Sequence, residues 1–120
     1  MAKPEKKNFS DPDETRTPSN AVIEVVKVGG KTVMKATFQP GWKWSKDIKP
    51  VTGGDACQVH HFGYQLSGTM HVESTDGTTI KTGPGDVADI PPGHDAWVVG
   101  SEPVIMVDFG DVTDYAQKKP

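Results

Sequence analysis

A chain of 120 residues is long enough for one domain with a single core, and its 13 glycines and 10 prolines are more typical of a turn-rich β protein than of a helical bundle. A net charge of -3, with no cluster of lysine and arginine on one face, argues against nucleic acid as a partner. The sequence contains neither an apolar run of membrane-spanning length nor a signal peptide, so we expect no membrane partner and a cytoplasmic location.

The composition changes near residue 20. Residues 1–20 are polar, charged and interrupted by proline, with too little apolar surface to offset the entropy of ordering. We therefore expect a flexible N-terminal arm over 1–20, a folded domain over 21–112 and a C-terminal tail over 113–120. The single cysteine, Cys57, cannot form an intrachain disulfide, which agrees with a reducing compartment.

Eight short segments of the domain combine apolar and β-branched residues and are separated by turns rich in glycine and proline. They cover residues 22–28, 32–38, 58–66, 70–73, 78–81, 87–90, 96–99 and 104–109. No helical pattern of useful length accompanies them, so the chain is predicted to be an all-β sandwich or barrel.

The loop over residues 41–55 is too polar for a strand, yet it contains Trp42 and Trp44. The two rings have the same parity and would cover one face of an extended segment. Two interpretations stay open: the rings close one end of the core, as buried tryptophans commonly do, or they line the mouth of a ligand pocket.

Two motifs resemble those of the cupin superfamily of small β-barrel proteins. GPGDVADIPPGHDAW has the family's spacing of Gly85, Pro91 and Gly93, and GYQLSG has its Tyr-x-Leu-x-Gly ending. The longer stretches PGWKWSKDIKPV, CQVHHFGYQLSG and IPPGHDAWVVG are similar to a small bacterial subgroup of single-domain cupins. The resemblance implies a cupin-type jelly-roll β-barrel.

The resemblance also implies where a metal would be bound. Counted from the motifs, the family's first two histidine positions fall near Asp55 and Cys57, its glutamate position on His61 and its last histidine position on Ala96. None of these is the family's usual residue type, so the metal-binding motif is degenerate.

The adjacent His60 and His61 cannot both point into one core, because successive strand residues face opposite sides of a sheet. In cupins the Tyr and Leu of the motif lie on the outer, often dimer-forming face. The resemblance therefore implies that His61 points into the barrel, that His60 packs outside and that the chain forms a homodimer. A shift by one residue would reverse the two histidines.

The residues that share parity with His61 make up the expected ligand pocket. Gly63 stands where the family commonly has a large apolar residue, so we expect it to leave space beside His61. Gln65 would place an amide in the same cavity, and Trp44 would lie near its mouth. No catalytic residue is assigned.

Cys57 and His94 are the other candidate metal ligands. His94 follows the Pro-Pro-Gly turn and shares the parity of Ala96, and Cys57 shares the parity of His61. Thiolate and imidazole suit one divalent transition metal ion (Zn, Fe, Mn, Ni or Cu), with His60 as a further candidate. The alternative is a buried structural cysteine and a surface histidine. No organic cofactor is expected.

Two functions follow from these expectations. The first is a small-molecule-binding cupin, for an apolar or acidic metabolite, with a non-standard pocket inside the barrel that is either metal-bearing or metal-free. The second is a metal-dependent, dioxygenase-like oxidoreductase that uses His61 and His94 as ligands. The retained Pro-x-Gly turn favours the second function, and the degenerate motif favours the first.

Overall fold

The computed structural model describes residues 3–117, and β-strands predominate in that range. The strands are β1 (Glu14–Arg16), β2 (Ala21–Val28), β3 (Lys31–Phe38), β4 (His61–Ser67), β5 (Thr69–Ser74), β6 (Thr79–Thr82), β7 (Val87–Ile90), β8 (His94–Val99) and β9 (Val104–Asp108). Two single-turn helices, α1 (Trp44–Asp47) and α2 (Lys49–Thr52), lie between β3 and β4. Neither helix is long enough or apolar enough to cross a membrane.

The all-β prediction is confirmed, and each of the eight predicted strands is present. The segment predicted as a strand from residue 58 begins only at His61, because Cys57 pairs with the start of β8 while β4 pairs with β7 and β9. The helices α1 and α2 were not predicted. Helix α1 begins where the Asp47 carboxylate accepts a hydrogen bond from the Lys43 N–H, at 2.9 Å, which satisfies a backbone donor at the start of the helix.

Two antiparallel sheets make up the fold. The larger has six strands in the order β1-β2-β3-β9-β4-β7, and the smaller has three in the order β6-β5-β8. Isolated bridges join Lys43 to Trp97 and Cys57 to His94, so the segment between β3 and β4 is tied to β8 of the smaller sheet. This segment therefore lies across one end of the two sheets.

A single apolar cluster joins the sheets. It combines inward side chains of the larger sheet with those of the smaller sheet, among them Ile23, Val25, Met34, Met70, Val72 and Val98. Trp42 and Trp44 belong to the same cluster and are only 2% and 3% exposed. The interpretation that these two rings close one end of the core is thus confirmed.

Two local expectations about the chain ends need correction. Within the predicted flexible arm, β1 pairs with β2, and Arg16 is buried. Within the predicted tail, Tyr115 and Ala116 are core residues. The Arg16 guanidinium explains both, since it donates hydrogen bonds to the carbonyls of Val112, Thr113 and Tyr115 at 3.2, 2.6 and 2.6 Å. Residues 118–120 of the tail lie outside the described range, and the domain boundaries themselves stay predictions.

Candidate functional site

Burial alternates along β4 and shows which way His61 and the preceding His60 point. His61, Gly63 and Gln65 are buried, whereas Phe62 and Tyr64 are exposed. His61 therefore points into the core. His60 lies outside it, where its imidazole contacts the Asp89 carboxylate.

Cys57, His61 and His94 converge at one end of the barrel. Cys57 precedes β4, His61 is the first residue of β4 and His94 is the first residue of β8. All three are buried, and their potential ligand atoms lie within 4.8 Å of one another. The Cys57 backbone fixes this approach, because its N–H donates to the His94 carbonyl at 2.7 Å and its carbonyl accepts from the Gly93 N–H at 2.7 Å.

A buried carboxylate holds the ring of His61. The Asp108 Oδ2 atom lies 2.5 Å from His61 Nδ1, while Asp108 Oδ1 accepts from the N–H groups of Phe62 and Gly110 at 3.1 and 2.9 Å. With the carboxylate as acceptor, Nδ1 carries the proton. The Nε2 atom is left facing Cys57 Sγ, 3.6 Å away.

The turn before β8 holds the ring of His94 in a similar way. Its Nδ1 atom lies 2.8 Å from the carbonyl oxygen of Pro91 and donates to it. The Nε2 atom of His94 is therefore the one left for the cluster. In metal sites, a ligating histidine almost always donates its second ring N–H to a carboxylate or carbonyl, and both histidines here have such a partner.

Contacts within the cluster shift the pKa values of Cys57 and His61. Burial alone would raise the pKa of the Cys57 thiol, but hydrogen bonds with His61 and His94 outweigh burial and bring this pKa down to about 6. Burial alone would lower the pKa of His61, yet the hydrogen bonds to Asp108 and Cys57 raise it to about 9. Without metal, the protein therefore stabilises a Cys57 thiolate next to a protonated His61, and a metal would bind the thiolate and replace the Nε2 proton of His61.

The three donors fit a transition metal ion in type, and the pair formed by Cys57 and His61 also fits in spacing. With a Zn–S bond of about 2.3 Å and a Zn–N bond of about 2.0–2.1 Å at a tetrahedral angle, the sulfur and nitrogen ligands would be about 3.5–3.6 Å apart. The observed Sγ–Nε2 distance is 3.6 Å. Thiolate and imidazole together form a borderline-soft donor set, which suits zinc, iron or copper better than manganese.

Two spaces adjoin the cluster. The inner cavity, of about 20 Å³, is lined by His61, His94, Trp42, Trp44 and Tyr115 and otherwise by apolar side chains. The outer groove, of about 470 Å³, lies between residues 52–59 and 111–116 and reaches Trp44 and Ile48. Cys57 lines the outer groove, whereas Trp44 and Tyr115 line both spaces.

Tyr115 covers the cluster from the C-terminal side. Its ring packs edge-on against His61, with ring centroids 5.0 Å apart, and it is 3% exposed. Burial, followed by the negative charges of Cys57 and Asp108, raises the pKa of its hydroxyl above the ordinary range. Tyr115 therefore packs as a neutral wall between the groove and the histidines.

Two predicted pocket residues lie away from this site. A Cβ atom on Gly63 would come within 2.2 Å of the Val107 carbonyl oxygen, so the expectation that Gly63 leaves space beside His61 was wrong. Gln65 does point inward, but its amide bonds to Thr82 Oγ1 at 2.6 Å and to the Gly68 carbonyl at 2.9 Å, and it lines neither space.

Of the remaining residues, one lies beside the cluster and two lie away from it. Trp44 lines both spaces beside the cluster, and its role in binding a ligand stays a prediction. His60, which precedes β4, contacts Asp89 outside the core, so it does not join the other candidate ligands. The fourth histidine of the chain, His71, stacks on Trp97 with ring centroids 4.4 Å apart.

Three site residues were not predicted from the sequence in the roles that the structure gives them. They are Asp108, which holds His61, Tyr115, which covers the cluster, and Trp42, which lines the inner cavity. One signal for Asp108 was available, because it shares the inward parity of Val104 and Met106 in β9. A carboxylate at an inward position needs a buried partner. No comparable signal existed for Tyr115, which lies beyond the last strand.

Comparison with solved structures identifies the architecture. A protein of unknown function from Rhizobium leguminosarum bv. viciae 3841 is 22% identical, with a TM-score of 0.64 over 91% of this chain and 97% of that one. An RmlC-like cupin from Shewanella frigidimarina NCIMB 400 is 19% identical, with a TM-score of 0.61 over 95% of this chain and 97% of that one.

An oxalate decarboxylase from Bacillus subtilis is also similar, at 17% identity and a TM-score of 0.64 over 92% of this chain, which spans only 30% of that protein. No family model and no curated protein matches the sequence. The likenesses show the fold, and the cupin-type jelly roll that the motifs implied is confirmed.

Proposed function

We propose that this cupin-fold protein binds one divalent transition metal ion through Cys57, His61 and His94, and a small molecule beside it. One observation carries the proposal: the thiol and two imidazoles meet in a buried cluster, and each imidazole has its Nδ1–H already bonded, to Asp108 or to the Pro91 carbonyl. A metal bound there would supply a Lewis acid, and iron or copper would also supply a redox centre.

The outer groove is the proposed place of the small molecule. The inner cavity, at about 20 Å³, has room for about one water and none for an organic compound. The groove is lined by Trp44 and Tyr115 and by the carboxylates of Asp55, Asp111 and Asp114. An acidic rim around aromatic rings favours a neutral or cationic ligand and disfavours the acidic metabolite that was one of our expectations.

Elemental analysis of untagged protein purified without added metal tests the metal site. We expect about one metal ion per chain in the wild type and none in His61→Ala or Cys57→Ser. His60→Ala and His71→Ala are the matched controls, since each removes a histidine that lies outside the cluster, and both should retain the metal. Retention of metal in a folded His61→Ala variant would refute the proposal.

Cobalt substitution tests the ligand set directly. A Co²⁺-loaded wild type should have the intense near-ultraviolet absorption of a cobalt–thiolate bond, and Cys57→Ser should lose it while the imidazole ligands still bind cobalt more weakly. An identical spectrum in the two proteins would exclude Cys57 as a ligand.

A metal-dependent oxidoreductase is the second candidate function. Three protein ligands leave a coordination position open, as in catalytic rather than structural sites. Oxygen uptake by Fe²⁺-loaded protein, with a panel of amines, thiols and diols, tests this candidate against His61→Ala loaded in the same way. Uptake that is equal in the two proteins, or absent with every compound, would favour the binding function.

We also propose a second copy of the chain as a protein partner. Four large apolar side chains lie on one outer face of the larger sheet, and Phe62, Tyr64, Leu66 and Val87 are 49%, 42%, 49% and 66% exposed. Strand β7, which carries Val87, is an edge strand with backbone groups free to pair.

Analytical ultracentrifugation tests the homodimer. We expect a wild-type dimer that Leu66→Glu converts to a monomer. The matched control is Ile80→Glu, which places the same charge at a similarly exposed position, 45% against 49%, on the smaller sheet. A monomeric wild type at every concentration would contradict this proposal.

A further inference from the structure

Trp42 has a buried donor without a partner and borders the same inner cavity as two residues of the candidate metal cluster. Its side chain lines the inner cavity with His61 and His94, and its indole Nε1 atom has no hydrogen-bond partner among residues 3–117. Leaving such a donor unpaired costs free energy, because the group loses its bond to water on burial. It is the only buried side-chain nitrogen or oxygen of the described range that lacks a partner.

The backbone and the ring of Trp42 are both held by neighbouring groups. The Trp42 backbone is bonded on both sides, from its N–H to the Gln39 carbonyl and from its carbonyl to the Val98 N–H, each at 3.0 Å. Its ring also packs against Phe38, with centroids 4.1 Å apart. Any partner must therefore come to Trp42.

The inner cavity has room for such a partner. A space of about 20 Å³ exceeds the roughly 10–15 Å³ that one water requires. An apolar cavity of this size would stay dry, but this one is also bordered by two imidazoles. A water with two to four polar neighbours is the usual occupant of a buried polar space.

We propose that the inner cavity is a binding site for one water-sized hydrogen-bond acceptor, which accepts from the Trp42 Nε1–H and faces His61 and His94. The class of ligand is water, hydroxide or an equally small species. The placement next to the metal rests on the proposed function, whereas the acceptor site itself does not. Where Cys57, His61 and His94 hold a metal, the acceptor would lie beside two of the ligand side chains, and Trp42 would orient it.

Nuclear magnetic resonance of ¹⁵N-labelled protein tests the site without an activity assay. The three tryptophans give three indole N–H signals. Trp42→Phe identifies the signal of Trp42 by its loss, and Trp97→Phe is the control that removes a different one. If Trp42→Phe does not fold, contacts of the indole proton with Phe38 identify the signal instead.

In metal-free wild type, we expect a dipolar cross-peak between the Trp42 indole proton and water, separated from chemical exchange by its sign in rotating-frame spectra. Addition of Zn²⁺ alone should shift this indole signal and leave that of Trp97 in place. In Cys57→Ser, which changes a residue outside the inner cavity, the cross-peak should persist and the shift should be lost or weakened.

The outcomes separate the two proposals. Absence of the water cross-peak with and without Zn²⁺ would mean a dry cavity and would overturn the acceptor site. A cross-peak without any response to Zn²⁺ would retain the acceptor site, overturn its placement at a metal and contradict the proposed function. A cross-peak together with the shift supports both.

Discussion

The substitution Asp108→Asn changes one atom of a buried carboxylate and should disable His61 as a ligand. Asp108 Oδ1 accepts from two backbone N–H groups, those of Phe62 and Gly110. An asparagine must keep its carbonyl oxygen at that position, because its NH₂ group there would face two donors. The NH₂ group is then directed at His61 Nδ1, where Asp108 Oδ2 now lies.

This reversal forces the other tautomer on His61. Facing a donor, Nδ1 must become the acceptor, and the proton moves to Nε2, the atom that faces Cys57. A protonated Nε2 cannot ligate a metal. Loss of an outer partner of this kind typically lowers metal affinity about 10–100-fold, which corresponds to about 1.4–2.7 kcal/mol of binding free energy.

Competition with a chromophoric zinc chelator measures this effect. We expect weaker zinc binding by Asp108→Asn and unchanged binding by Asp89→Asn, which alters the carboxylate beside the outer His60. Circular dichroism should confirm that both variants are folded. A folded Asp108→Asn variant that binds zinc as tightly as the wild type would refute the reasoning about the tautomer.

Three further predictions concern packing. In denaturant titrations, Gly63→Ala should lower the free energy of unfolding by about 3 kcal/mol or more, since its Cβ would lie 2.2 Å from a backbone oxygen of β9. Gly83→Ala is the control and should change the free energy of unfolding little, because a Cβ there has no atom within 4 Å. In the same titrations, Arg16→Met should lower the free energy of unfolding by about 2–4 kcal/mol, because charged hydrogen bonds to three carbonyls are lost. Arg16→Lys should restore only part of this free energy. A thiol reagent should label the sole cysteine, Cys57, slowly in metal-free protein and faster in Arg16→Met, where the C-terminal segment is released; equal rates would show that this segment does not limit access.

The fold could be predicted from the sequence because its signals are local. Turn motifs, strand lengths and the alternation along β4 each depend on neighbouring residues. The inward direction of His61 followed from its parity, which is opposite to that of the outward Tyr and Leu of the cupin-like motif, and its burial agrees. Parity predicts which face of the sheet a side chain occupies, but it does not predict how far along the barrel the side chain lies. Gln65 shares the face of His61 but lies four residues further, about 13 Å along the strand, and so it bonds to Thr82 instead.

Long-range contacts could not be predicted in the same way. Asp108 is 47 residues from the histidine that it holds. The error about Gly63 has a related cause: a missing side chain was taken as free space, but the backbone of β9 approaches to fill it. Tyr115 was assigned to a tail because nothing in its own segment indicates that Arg16, 99 residues away, binds its carbonyl.

The position of His94 explains how a chain without the family's usual residue types still brings a thiol and two imidazoles together. The cupin resemblance places the last histidine at Ala96, and both residues are buried on the inner face of β8. A shift of two residues preserves the face and moves the imidazole about 7 Å along the strand. That movement brings His94 beside Cys57, which pairs with it through the backbone, and it leaves Ala96 lining the inner cavity. The small side chain of Ala96 thus leaves space next to His94. Because the cluster now lies at the end of the barrel where residues 52–59 and 111–116 meet, the proposed small molecule would approach it from the outer groove and past Tyr115.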